Sequence, residues 1–568
     1  MAFKSKLILG INTGHDSGVT VIEDNQIVFA ENEERISRIK GFTGFPLQTL
    51  QEVQKRFDLS KVEVVAIEGK RILPFRSATE FIEGTDSAHM EILERLGLYR
   101  FMIGSRSGVK FSQDILRLLQ IRKRDSLLNL FDSFGLKNAR KEFFDHHLAH
   151  AASATLVTYS GDSAPGLSIS FDASGEGFCS KICSFDGFSL TEHQEFSLPS
   201  FYSPANLYMQ VTKLLGYTPM RHEGKITGLA AFGNPTETCN ILENYFYFDK
   251  KNLKWVNKFG YRNQLSSRLT EVLKDFNPED IAAGIQLLTE RNVLNYIEHA
   301  VIPRFGNQHI YLSGGLFANV KLNQRIAESN WCNGLTVAPN MGDGGLSLGA
   351  AKLSQHPSQL TKSSMYLGHE ILESQFSISN LPSTMQSRKL STSAFEIAIA
   401  LSKGLVVALS IGKMEFGPRA LCHRSILYTA KDKEVNTWLN KKLKRTEFMP
   451  FAPVVQDVHA SRYFKLMDYV DYSSMTVTCE VHSETVEKYP AIVHVDNTAR
   501  PQIVDAKNEL IYQVLDHYAE ITGEHILVNT SYNMHEEPIV RTIEDSIRAF
   551  ELSNLDKLFI PGYEISLK

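Results

Sequence analysis

The sequence predicts an α/β protein folded as two large units, and three observations carry that prediction. Short apolar runs bounded by glycine- and aspartate-rich turns alternate with longer stretches of helical periodicity. A rhythm of three short strands and two turns near the start returns from Leu167 onward. A Ser/Thr/Pro-rich stretch from Gln355 to Ser391 interrupts the pattern and predicts a linker or border, dividing the chain into residues 1–360 and 361–568. At ~150 residues per domain, 568 residues allow two to four domains, and two large ones suffice.

The first unit opens with strands at Leu7–Asn12, Val19–Ile22 and Ile27–Glu31, joined by the turn Thr13–Gly18 and the tight turn at Asp24-Asn25. The second occurrence has strands at Leu167–Phe171 and Phe178–Ser184, the turn Asp172–Gly177, and a third apolar run from Phe188. Helical periodicity lies between them, chiefly over Phe111–Phe134. Duplicated three-strand units followed by helices are analogous to the actin, Hsp70 and sugar-kinase nucleotide-binding fold. Beyond the border, Ala394–Ser402 reads as a helix and Leu405–Ser410 as a buried strand. Thr476–Val481, Ile526–Asn529 and the end from Leu558 read as further strands.

Composition excludes several classes. Sixty Lys and Arg against 64 Asp and Glu leave a charge of -4, so no global field draws the chain to nucleic acid or an anionic membrane. The six cysteines show no zinc-knuckle spacing and read as buried thiols in a reducing compartment. Leu7-Ile8-Leu9 is too short for a signal peptide, and Ser402, Lys403 and Gly404 break the longest apolar stretch, so a soluble cytoplasmic protein is the expectation.

Asp145-His146-His147-Leu148-Ala149-His150 follows a strand-like run and starts a helix, which places His146 and His150 on one face. With 18 histidines this spacing arises by chance about once in two such chains, so it gains weight only from partners. Asp16, Asp172 and Asp343 stand in glycine-rich turns, and two imidazoles with one or two carboxylates suit Fe²⁺, Mn²⁺ or Zn²⁺. The turns Gly224–Gly228, Ser313–Asn319 and Gly342–Gly349 offer backbone N–H groups to a phosphate, and tight helix starts explain each singly. None is a Walker P-loop. In the second unit, Glu415, Arg419 and Arg424 lie in a segment read as a loop leading into a helix. Lys444, Arg445 and Arg500 are further cations, either anion ligands or members of solvated ion pairs. Asn529–Asn533 supplies small polar groups after a strand or simply forms a self-stabilised turn.

These motifs together resemble the O-carbamoyltransferase family that includes the tobramycin, nodulation-factor and cephamycin carbamoyltransferases. The likeness spans nearly the whole chain. It rests on His15-Asp16-Ser17, Glu33-Glu34-Arg35 with Arg38 and Lys40, His146–Ala151, Gly224-Lys225, Gly314-Gly315, Gly417–Leu421, Pro450–Pro453 and Asn529-Thr530-Ser531. The resemblance implies a duplicated actin/Hsp70-type domain similar to the tRNA threonylcarbamoyltransferase, fused to a YrdC-like α/β domain. It implies that His146, His150, Asp172 and Asp343 ligate a divalent metal, Fe²⁺ before Mn²⁺ or Zn²⁺. His15 and Lys40 would then lie near the transferring group, with Gly224, Lys225, Gly314, Gly315 and Asn319 around the nucleotide. Arg419, Lys444, Arg500, Asn529 and Ser531 would bind carbamoyl phosphate and ATP. Met449 stands where several members have an Arg, and the loop aligns one residue shorter, which leaves Lys444 and Arg445 competing for one role.

The implied reaction consumes ATP with Mg²⁺, forms a carbamoyl-adenylate, and carbamoylates a hydroxyl of a small acceptor such as a natural product or sugar, with His15 or a turn carboxylate as base. A labile intermediate predicts a closed passage between the two sites. A tRNA-modifying enzyme and a non-catalytic nucleotide-binding scaffold are the rival readings; the charge of -4 argues against the first, and the His/Asp set has no purpose in the second. No nucleic-acid or membrane partner is expected, and a homodimer is left open. Pro74–Arg124 is the expected place for acceptor contacts.

Overall fold

A computed structural model describes residues 6–70, 104–119, 121–158, 164–261, 263–355, 361–390 and 393–568. The chain is a mixed α/β protein of two compact units. One comprises Met1–Ser37 and Gly41–Ser364, the other Arg38–Lys40 and Met365–Lys568.

The first unit holds two sheets of one design. In the first sheet, Leu7–Asn12 pairs antiparallel with Gly18–Glu23, which pairs antiparallel with Gln26–Asn32. On its other side Leu7–Asn12 runs parallel to Val62–Glu68, and that strand parallel to Arg140–Phe144. In the second sheet, Gly166–Gly175 pairs antiparallel with Phe178–Phe185, and parallel with Gln308–Ser313, which runs parallel to Cys332–Val337. Leu190–Glu192 and Leu198–Pro199 both complete the hairpin side. The sequence rhythm therefore reflects a repeated sheet topology. Alternation of apolar residues explains the first sheet: Leu7, Leu9, Ile11, Val19, Val21 and Phe29 form one core with Leu127 and Phe131 from the helix Ile121–Ser133.

Each half ends in a helix, His146–Thr155 after the first sheet and Leu346–Leu353 after the second. The helix of the first half packs on the second sheet, the helix of the second half on the first sheet, and the two helices pack on each other. Gly349 permits that approach, because a Cβ there would sit 1.9 Å from the carbonyl oxygen of Ala149.

The second unit is built on an eight-stranded mixed sheet. Its order is Met385–Lys389, Tyr563–Leu567, Lys557–Ile560, Val407–Ser410, Arg424–Thr429, Ile526–Ser531, Ala452–Gln456, Gln502–Val504. Ser393–Ser402 and Glu509–Thr522 pack together on this sheet through Ile397, Leu401, Val514, Leu515 and Tyr518.

Several expected elements differ. The stretch Gln355–Ser391 is not a plain linker: it contains Tyr366–Ile371, paired with Gly412–Glu415, and the edge strand Met385–Lys389. Edge pairing needs no strict apolar alternation, which hid both strands. The loop carrying Arg419 leads into a strand, Arg424–Thr429, rather than a helix. Glu415 explains the loop, since its Oε1 accepts the backbone N–H groups of Leu421, His423 and Arg424 and leaves no helical bonding there. The expected strand over Thr476–Val481 shrinks to Cys479–Val481. All six cysteines are buried and free. No helix among the described residues is long and apolar enough to cross a membrane.

Candidate functional site

The helix His146–Thr155 starts beyond Asp145, whose carboxylate caps it by accepting the N–H of Leu148 at 3.1 Å. Its first turns present His146 and His150, 4% and 0% exposed. Asp172 comes from the irregular end of Gly166–Gly175, where the ladder shifts between Phe171 and Gly175. Asp343 comes from the turn before Leu346–Leu353. These four residues, scattered along the sequence, bring one donor atom each within 4.8 Å of one another. His150 Nε2 lies 3.2 Å from Asp172 Oδ2 and 3.5 Å from Asp343 Oδ1; His146 Nε2 lies 3.8 Å and 3.7 Å from the same atoms.

Donors held ~2.0–2.2 Å from one ion stand ~3–3.5 Å apart when adjacent and ~4.2 Å when opposite, so this buried nitrogen–oxygen set is close to the spacing a divalent cation would draw in. A buried acceptor supports the fit: His146 Nε2 has no hydrogen-bond partner among the described residues. Burial opposes protonation of His146, but Asp343, Asp172 and Glu68 outweigh it and hold the ring well above its usual value. Burial pushes the Asp172 carboxyl up, and the adjoining His146 and His150 rings reverse that to well below the usual range. His147, between the ligands, instead packs away from the cluster, with Nδ1 on Ser170 Oγ and Nε2 on the carbonyl of Phe178.

The turn of the first hairpin abuts this centre. Asn12 Nδ2 donates to the carbonyls of His15 and Asp343, both at 2.9 Å. His15 Nδ1 stands 2.9 Å from Asp16 Oδ2. Burial works against its charge, yet Asp16, and more remotely Asp343 and Asp172, push it up to about 9. His15 is thus a cation at neutral pH, suited to holding an anion rather than taking a proton. In chelator-treated protein an NMR titration of the His15 ring should show a midpoint near pH 9. Asp16→Asn should move it down toward 6.5. Because the folded value is raised, the associated stability is complete below about pH 6.5 and disappears as pH rises through about 9. A midpoint at the ordinary value in the unmodified protein would refute the pairing.

Of the nucleotide candidates, Gly315 donates its N–H to Asp172 Oδ2 at 3.3 Å, which puts the Gly314-Gly315 turn beside the metal ligands. Gly314 takes φ +96, and a Cβ there would meet the Phe171 carbonyl at 2.2 Å. Asn319 caps Val320–Ala327 and pairs with Gln286, whose Oε1 also accepts the Tyr208 hydroxyl. Tyr208 in turn meets Thr227 in the helix Glu223–Leu229 that carries Gly224 and Lys225. One polar network therefore connects Asn319 with the helix of Gly224 and Lys225. Lys40 lies in the segment that groups with the second unit.

In the second unit, Arg419 and Arg500 are close enough for their charges to repel, and both have a buried Nε without a partner among the described residues. Burial, and for Arg500 the Arg419 charge as well, weakens their hold on a proton. Burial likewise lowers Arg445, to about 10, and Glu447 is the carboxylate opposing all three arginines. Three cations facing one anion leave a positive site. Asn529 Nδ2 donates to the Ala420 carbonyl at 3.1 Å and to Gln502 Oε1 at 2.7 Å, which ties the Arg419 loop to the central strand. Lys444 is exposed, whereas Arg445 donates to the Ser531 and Asn533 carbonyls at 2.7 Å. The guanidinium at the Ser531 end of the strand is thus that of Arg445.

Sequence reasoning missed Glu68 and Gln502, and it placed Glu447 beside Lys444 and Arg445 without its role as the carboxylate opposing the arginines. Glu68 had one signal, a carboxylate closing the apolar run Val64–Ile67. The expected acceptor region, Pro74–Arg124, lies outside the described residues over 74–103 and at position 120.

These are the features of a group-transfer enzyme made of two mixed α/β units. The chain belongs to the carbamoyltransferase family, as its motifs implied: residues 7–352 match the family's N-terminal part (Carbamoyltransferase N-terminus) and residues 398–566 its C-terminal part (Carbamoyltransferase C-terminus). It is 30% identical over 609 residues to the uncharacterized protein MJ1058 of Methanocaldococcus jannaschii, covering 98% of both chains. It is 28% identical to the nodulation protein NolNO of Sinorhizobium fredii over 97% of this chain and 79% of that one. Among solved structures it is similar to full-length HypF in the phosphate- and nucleotide-bound form, at 14% identity and a TM-score of 0.30, over 62% of this chain and 46% of that one.

Proposed function

We propose that the protein transfers the carbamoyl group of carbamoyl phosphate to a hydroxyl of a small molecule through a carbamoyl-adenylate. Residues 361–568 act as a YrdC-like adenylation domain and residues 1–360 as an actin/Hsp70-type transfer domain. The buried convergence of His146, His150, Asp172 and Asp343 carries the reading, because a scaffold that only binds nucleotide has no use for it.

In the second unit Arg419 and Arg500 offer unpartnered guanidinium N–H groups to phosphate oxygens, and Arg445 fixes the strand end at Ser531. There carbamoyl phosphate and water give carbamate and phosphate, and carbamate displaces pyrophosphate from the α-phosphorus of ATP, with Mg²⁺ on the phosphates, to give carbamoyl-AMP. In the first unit the acceptor oxygen attacks the carbamoyl carbon, the bond to the AMP oxygen breaks, and AMP and a proton leave. A divalent ion held by the four ligands supplies Lewis-acid polarisation of the carbamoyl carbonyl or a hold on the phosphate. His15, protonated at Nδ1 and Nε2, balances the charge growing on the departing AMP. Its raised value supports anion stabilisation over the base role.

Purified enzyme given carbamoyl phosphate, ATP and a pool of hydroxylated metabolites is expected to form AMP and pyrophosphate and to add one carbamoyl group to an acceptor, read by mass spectrometry. Nucleotide conversion indifferent to carbamoyl phosphate would refute the proposal.

A further inference from the structure

Glu68 ends the strand Val62–Glu68 and is 1% exposed. A carboxylate in that position is costly to bury, and neither the metal ligation nor the anion site above uses it. Its Oε1 lies 2.8 Å from His146 Nδ1, and its Oε2 has no partner among the described residues. The His146 ring is already confined by shape. Gly175 leaves it room, since a Cβ there would sit 2.0 Å from the ring, and the His150 ring meets it edge-on at 4.8 Å. Shape fixes where the ring lies but not which nitrogen carries the proton. Only an acceptor at Nδ1 settles that.

We propose that Glu68 is a positioning residue for a metal ligand: it accepts the Nδ1–H of His146, so that Nε2 keeps its lone pair toward Asp172 and Asp343, and strengthens that nitrogen as a donor. This rests on the metal reading of the His/Asp cluster. His150 has no such support, because its Nδ1 is without a partner among the described residues. The two imidazoles are therefore unequal, and Glu68 governs one of them.

Metal-stripped full-length protein titrated with Co²⁺, followed by its visible spectrum, and with Zn²⁺ in competition with a chelating dye tests this. Glu68→Ala should weaken both affinities by ~10–100-fold. Glu68→Gln should lose less, because an amide oxygen still accepts the proton but without charge. Ser170→Ala, which removes the Nδ1 partner of the non-ligating His147, should bind metal like the unmodified protein. Unmodified affinity in either folded Glu68 variant overturns the proposal, as does an equal loss in Ser170→Ala. If Glu68→Ala does not fold, Glu68→Gln decides. Failure of the unmodified protein to take up either ion would instead overturn the metal reading.

Discussion

His150→Ala is expected to empty the metal centre and to lower carbamoyl transfer by ~10²–10³-fold, the usual cost of losing one preorganised electrostatic group. His150 is completely buried, and its Nε2 is the imidazole nitrogen nearest to both aspartates, at 3.2 Å and 3.5 Å. Its removal leaves two carboxylates facing one another with a single histidine. Elemental analysis of the purified variant reads the first effect and formation of carbamoylated product the second. Pyrophosphate release driven by carbamoyl phosphate should persist, because the proposed mechanism places that step in the other unit. A variant that retains its ion and its turnover would show that the cluster is structural.

Arg500→Ala should produce the opposite pattern. Pyrophosphate release dependent on carbamoyl phosphate is expected to fall by ~10²–10³-fold, while bound metal stays at the level of the unmodified protein. The guanidinium is held against Arg419 although the two repel, and its Nε has no partner among the described residues. Phosphate oxygens between the two guanidiniums would offset that repulsion. Wild-type release in this variant would move the adenylation site elsewhere. Together the two variants separate activation from transfer.

Much of the first unit was legible because its information is local. The strands Leu7–Asn12 and Gln308–Ser313 announce themselves by short apolar runs leading into glycine-containing turns, and Asp145 marks a helix start by a capping residue. The four donor residues could be nominated one by one, but their convergence depends on which strand lies beside which, and single-sequence periodicity carries no such pairing. The strand Tyr366–Ile371 was hidden because its partner Gly412–Glu415 supplies its order. The loop around Arg419 was misread as leading to a helix because the side chain that shapes it, Glu415, works through backbone bonds six to nine residues away. The order of Lys444 and Arg445 is likewise a matter of which direction a short turn faces, and the left-handed backbone at Lys444 sets it.

The crossed helices have an assembly consequence. His146 and His150 end the first half of the duplication, while Asp172 opens the second half and Asp343 closes it. On the proposed metal reading, an ion would lack the fourth of its anchors during synthesis until more than 340 residues have emerged and the halves have interlocked. Ion capture would then certify a finished fold and, by mass action, resist the unlocking of the two halves.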